Sequence, residues 1–172
     1  MSKKHQWASK YLAQTLKIFL RIGAISFFAI IFVVLSVPDS SRAQGFLKSF
    51  ALIEAAEKGQ KKEVEKLLNQ GANVNIQDEY GDSAILAASK RGFVDIVRIL
   101  LDKGANVNTV DADGSSPLIE ASKFGHLEVV KLLLAYGANV KLKDKDNETA
   151  LSYATQNDLQ EIKELLIKYE AQ

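Results

Sequence analysis

The tetrapeptide Gly-Ala-Asn-Val occurs three times, beginning at Gly71, Gly104 and Gly137, with an interval of 33 residues each time. Asp78, Asp111 and Asp144 keep that interval, as do Gly59, Gly92 and Gly125 and the pairs Leu67-Leu68, Leu100-Leu101 and Leu133-Leu134. A fixed period of this length confines the chain to a repeat architecture, in which one supersecondary unit cannot bury its apolar face alone. Ser83, Ser116 and Thr149 stand ahead of short apolar-periodic segments, where a hydroxyl can cap a helix start. Pro117 falls at a first helical position, where its missing N–H costs nothing. Gly92 and Gly125 separate two such segments, and Gly71, Gly104 and Gly137 follow the second, where a left-handed residue ends a helix. The expected unit is helix, turn, helix, extended loop, repeated over about 45–77, 78–110, 111–143 and 144–172.

These residues resemble the ankyrin repeat. The segments Ser116-Pro117-Leu118-Ile119-Glu120-Ala121, Gly125-His126-Leu127-Glu128-Val129-Val130 and Gly137-Ala138-Asn139-Val140 carry the likeness most fully. The resemblance implies an all-α ankyrin-repeat solenoid of about four helix-turn-helix repeats with hairpin loops, occupying 44–172. Ala55, Ala88, Ala121 and Ala154 suit the close approach of neighbouring first helices. The histidine of the family's Thr-Pro-Leu-His motif is replaced by Leu86, Ile119 and Ser152, which removes a recurring side-chain hydrogen bond at the helix start. The outer units depart in the direction expected of caps. Glu63 and Lys66 stand where the next unit has Ile96 and Ile99, Lys163 replaces Val97 and Val130, and Asp158 and Glu170 replace glycines.

The N-terminal 43 residues have a different composition. Lys3, Lys4, Lys10, Lys17 and Arg21 precede an uncharged apolar run at 22–37, followed by Pro38 and a small-x-small pattern at Ser41 and Ala43. A basic region, an apolar region and such a site form the secretory signal pattern, with cleavage expected after Ala43. An uncleaved N-terminal membrane anchor is the other expectation, because Phe19 and Leu20 lengthen the run toward the roughly 20 residues that span a bilayer. Both place the remainder outside the cytoplasm. The expected location is the periplasm, after cleavage or tethered to the inner membrane.

Charge and chemistry exclude several function classes. Residues 1–43 hold six of the 22 Lys/Arg and one of the 21 Asp/Glu, so residues 44–172 carry a net charge of −4. A mildly acidic module lacks the basic footprint that phosphate neutralisation requires, so nucleic acid is not an expected partner. With no cysteine, disulfides, thiolate metal sites and thiol nucleophiles are absent. His126 is read as a structural surface histidine, and Asp111-Ala112-Asp113 and the run from Asp144 to Glu148 as solvated loop tips without calcium-loop spacing. No enzyme activity and no cofactor is expected; a metal-dependent hydrolase built on His126 and nearby carboxylates is the least favoured alternative.

The resemblance implies protein binding through a concave groove made of hairpin tips and the ends of the first helices. Carried over by register, the candidate partner-binding residues are Glu79, Tyr80 and Asp82, Lys90 and Arg91, Asp113 and Ser115, Lys123 and Phe124, and Lys145 and Asp146. Acidic tips and basic helix ends are expected, with Tyr80 and Phe124 as aromatic anchors. The expected function is a non-catalytic adaptor or scaffold, monomeric, exported to the cell envelope and binding an unidentified protein. Alternatives are a membrane-anchored scaffold and a secreted effector that binds a host protein.

Overall fold

The computed structural model describes residues 40–171; of the expected signal or anchor segment, residues 1–39 lie outside the described residues and 40–43 belong to the first helix. The helices run α1 Ser40–Glu57, α2 Lys61–Asn69, α3 Ala84–Arg91, α4 Val94–Asp102, α5 Pro117–Lys123, α6 Leu127–Ala135, α7 Ala150–Gln156 and α8 Gln160–Glu170. They form four pairs. The first helices α3, α5 and α7 pack on one another in sequence, and the second helices α2, α4, α6 and α8 do the same, giving two layers. Among the described residues no helix is long and apolar enough to cross a membrane.

Hydroxyl caps open the first helices where expected. Ser83 accepts from the Leu86 N–H, Ser116 from Ile119 and Thr149 from Ser152. These caps act without the motif histidine. At its third position Ser152 closes the cap reciprocally, its own hydroxyl oxygen accepting the Thr149 N–H at 2.6 Å. The first helix differs. Here α1 runs through 18 residues from Ser40, ahead of the expected unit boundary at 45.

The apolar core lies between the layers. Leu100, Leu133, Val97 and Val130 are fully buried, and Ala55, Ala88, Ala121 and Ala154 along the first-helix stack are buried as expected. Glu63 and Lys66 on α2 pair with each other at 2.9 Å instead of joining that core. Terminal repeats that lack a neighbour on one side expose a polar face in this way.

The glycine ending each first helix is fixed by two demands. At Gly92 φ is 75°, and a Cβ would stand 2.6 Å from His126 Nδ1 of the next repeat. Phe93 seats on Gly59 and Leu159 on Gly125 in the same manner. The hairpin glycines Gly81 and Gly114 likewise have positive φ and lie against the backbone of Asp111-Ala112 and of Asp144. In the last repeat the corresponding positions hold other residues and keep the left-handed backbone. They are Asp158, at φ 55°, and Asn147, at φ 63°. Asn and Asp adopt that conformation at lower cost than other side chains.

Asparagines tie the long loops together. Asn75 donates from Nδ2 to the Gly104 carbonyl at 3.1 Å and accepts the Asn106 N–H at 2.7 Å. Asn108 repeats both contacts with Gly137 and Asn139. Ser49, buried on α1, accepts the Asn73 N–H at 2.9 Å and starts the series.

Gly92→Ala combines a disfavoured backbone with a steric clash and is expected to lower stability by more than about 1 kcal/mol. Asp158→Gly is expected to be neutral or stabilising by up to about 1 kcal/mol. Equal losses in thermal melts of the two variants would contradict the division of demands between φ and packing.

Candidate functional site

The recurring aspartates build the hairpins. Asp78 Oδ1 accepts the N–H groups of Tyr80 and Asp82, each at 2.9 Å. Asp111 Oδ1 accepts those of Asp113 and Ser115, and Asp144 Oδ1 those of Asp146 and Glu148. These acids thus serve the backbone as Asx-type turn formers. Neighbouring tips are joined by the Ala112 N–H to the Tyr80 carbonyl at 2.8 Å and the Lys145 N–H to the Asp113 carbonyl at 2.9 Å. The hairpins therefore form one continuous edge.

The ends of the first helices are fixed by the following repeat. His126 Nε2 meets the Lys90 carbonyl at 3.1 Å, and a carbonyl can only accept, so Nε2 carries the hydrogen. Asn157 Nδ2 donates to the Lys123 carbonyl at 2.9 Å. Both contacts satisfy carbonyls left over at a helix terminus. His126 also stacks with Phe124, at 6.5 Å between ring centroids. The imidazole is thus engaged by a carbonyl, a glycine and a ring, which gives it a structural role. Tyr80 and Phe124 stay 64% and 49% exposed, so their rings are presented by rigid backbone without being used in the core.

Glu79, Lys90, Arg91, Asp113, Lys123, Lys145 and Asp146 are exposed at the surface, and Asp82 is half-buried. Ser115 is a correction to its expected place on the groove surface. It is 5% exposed and donates its hydroxyl to Glu120 Oε1 at 2.7 Å, because Asp111 folds the returning strand of the hairpin inward.

The expected basic strip is largely engaged within the fold. Arg91 pairs with Glu57 at 3.0 Å, Lys145 with Asp113 at 3.1 Å, and Lys123 lies over the Tyr153 ring at 4.8 Å. Exposed pairs like the first two contribute only about 0–1 kcal/mol each. They nonetheless reduce the positive charge available to a partner. Lys90 reaches toward Glu120 Oε2 but stops at 3.7 Å.

Glu120 was not among the candidates, although its sequence signal is present. It is an acid inside the apolar run Leu118-Ile119-Glu120-Ala121, at the register of Ala87. It is 5% exposed, and its Oε2 is buried without a hydrogen bond, as are the hydroxyls of Ser89 and Ser122. A buried polar group left unsatisfied costs about 1–3 kcal/mol, and more if charged. Burial, reinforced by Asp78 and Asp111, holds the Asp82 carboxyl above its ordinary pKa, opposed by Lys90. A carboxyl with a raised folded-state pKa opposes folding when ionised, so its contribution to stability improves as pH falls through that value.

The Tyr153 phenol donates to Asp144 Oδ2 at 2.7 Å. Burial alone would raise the Asp144 carboxyl, but bonds from Tyr153 and from the Glu148 and Asp146 N–H groups outweigh it and lower the pKa. The same bond, with burial and nearby acids, pushes the Tyr153 phenol up to about 12.

Two layers of paired helices, linked by a hairpin edge and filled by a shared apolar core, define a helical-repeat solenoid. The family model for ankyrin repeats (3 copies) matches residues 52–144 and 109–172, and the chain belongs to the ankyrin-repeat family. No curated protein matches it in a sequence comparison. Ankyrin repeats imply a protein-binding module, and such domains are typically non-catalytic.

A spectrophotometric titration is expected to show one tyrosine ionising near pH 12. Tyr153→Phe should remove that step, and Asp144→Asn should move it toward the ordinary phenol value of about 10. The stabilisation from the protonated phenol is present below the unfolded pKa of about 10 and is lost as pH rises through about 12. No change of the high-pH step in Tyr153→Phe would remove this assignment.

Proposed function

We propose that the chain is an adaptor that holds a protein partner against the hairpin edge and the ends of α3 and α5, in the cell envelope. The observation that carries the binding face is the pair Tyr80 and Phe124. Both are large, exposed and fixed by neighbouring backbone or ring contacts. Rigid aromatic side chains lose little entropy on binding and recur among residues that dominate interface energy. Arg91 and Lys123 border them with cations held only by exposed contacts, which a partner can replace. Location in the envelope is supported by the basic, apolar and small-residue pattern ahead of Gln44. Binding, tethered or free, would take place outside the cytoplasm.

Affinity capture from an envelope extract tests the face. Phe124→Ala is expected to cost about 2 kcal/mol of affinity, or roughly thirtyfold, with an unchanged melting temperature. Capture that survives both Phe124→Ala and Arg91→Ala places the interface elsewhere. The mass of the mature protein tests processing: loss of about 4 to 5 kDa is expected on export. Full-length mass in a membrane fraction would favour the tethered form, and full-length mass in the cytoplasm would remove the envelope assignment.

A further inference from the structure

We propose that the partner presents a basic side chain, arginine before lysine, that enters between Asp82 and Glu120 and takes the position Lys90 now half fills. This rests on the binding face proposed above and adds the chemistry of its occupant.

Among the described residues, Glu120 Oε2 is the buried carboxylate oxygen left without a hydrogen bond. Glu120 is 5% exposed, with Oε1 held by the Ser115 hydroxyl at 2.7 Å and Oε2 without a hydrogen bond. Lys90 Nζ stands 3.7 Å from Oε2, close enough to attract and too far to donate, on a side chain that is itself 49% exposed. A buried carboxylate normally has its lone pairs satisfied by donors, so this oxygen is prepared for a donor that the chain does not supply.

Asp82 adds the second half. Its charge is sensed together with those of Asp78, Asp111 and Glu120, and Lys90 is the cation that offsets it. Asp78 and Asp111 each use one carboxylate oxygen for hairpin N–H groups. Arg91, Lys123 and Lys145 lie against Glu57, Tyr153 and Asp113 and not against Asp82 or Glu120. Lys90 is therefore the cation that acts on Asp82 and Glu120 alike, one positive charge against two carboxylates. A guanidinium presents five donors in a planar fork and can serve two carboxylates, whereas an ammonium acts as a point charge. Tyr80 and Phe124 offer exposed rings on the same face for the apolar stem of such a side chain or its neighbours.

The test uses the full chain in a mild non-ionic detergent, immobilised and panned with a phage library of random dodecapeptides. Retained peptides are expected to share an arginine, and citrulline in its place should weaken binding at least about tenfold. Glu120→Gln should weaken the arginine peptide similarly. Lys90→Ala should leave its affinity equal or higher, because it removes the internal competitor. Asp82→Asn should weaken binding while melting at an equal or higher temperature, which keeps the test valid if Glu120→Gln folds poorly. Peptides without a shared basic residue, an unaffected citrulline analogue, or a loss in Lys90→Ala equal to that in Glu120→Gln would each overturn the proposal. If such peptides are still lost with Phe124→Ala, the binding face stands and the assignment of a cation to Glu120 and Asp82 falls. If no peptide is retained, or none depends on Phe124 or Glu120, both fall.

Discussion

A side chain from each following repeat seats on the left-handed glycine that ends the preceding first helix. Phe93 on Gly59, His126 on Gly92 and Leu159 on Gly125 are successive instances of this contact. It sets the distance between neighbouring units, and the other inter-repeat bonds depend on that distance. The Lys90 carbonyl meets His126, the Tyr80 carbonyl meets Ala112, and the alanines of the first helices join one core at this spacing. Stability is therefore a property of interfaces between units more than of any unit alone.

Much of the fold was legible because its strongest signals are backbone requirements. A left-handed turn, a capped start and an apolar helix face each restrict residue type, and a 33-residue period repeats the restriction until it stands above chance. The long α1 was less legible, because Pro38 and the polar residues after it read as the end of the apolar run and not as a helix start at Ser40. The binding face was legible in position but not in its electrostatics. Register placed Lys90, Arg91, Lys123 and Lys145 along one face. Their partners lie one period or more away, or on another element, and no local pattern announces such pairs. Ser115 illustrates the same limit: its register position suggested an exposed tip, whereas the turn made by Asp111 points its hydroxyl to Glu120.

The placement of acids separates two uses of one residue type. Asp78, Asp111 and Asp144 recur at every hairpin and are satisfied by backbone N–H groups, so their charge serves the fold. Glu120 occurs once, at a register that holds Ala87 one period earlier, and is buried with an unsatisfied oxygen. A residue that recurs with the period answers to architecture. One that interrupts the period at a stability cost is where a function peculiar to this chain is best sought.

The asparagine ties have a mechanical consequence. Asn75 and Asn108 each fasten a loop to the next, but the third position of the series is Lys141, so the junction between the last two repeats has no such fastener. That junction is held by the Lys145 and Asn157 contacts, by Leu159 over Gly125 and by the packing of Ala154, Ile162 and Leu166 into the shared core, with no loop tie beside them. Under load, or in a rare spontaneous opening, α7 and α8 would peel away first while the three preceding repeats stay zipped. The carboxyl-terminal helix pair would then act as a detachable end plate, and its release would uncover the faces of α5 and α6 without dissolving the remaining array.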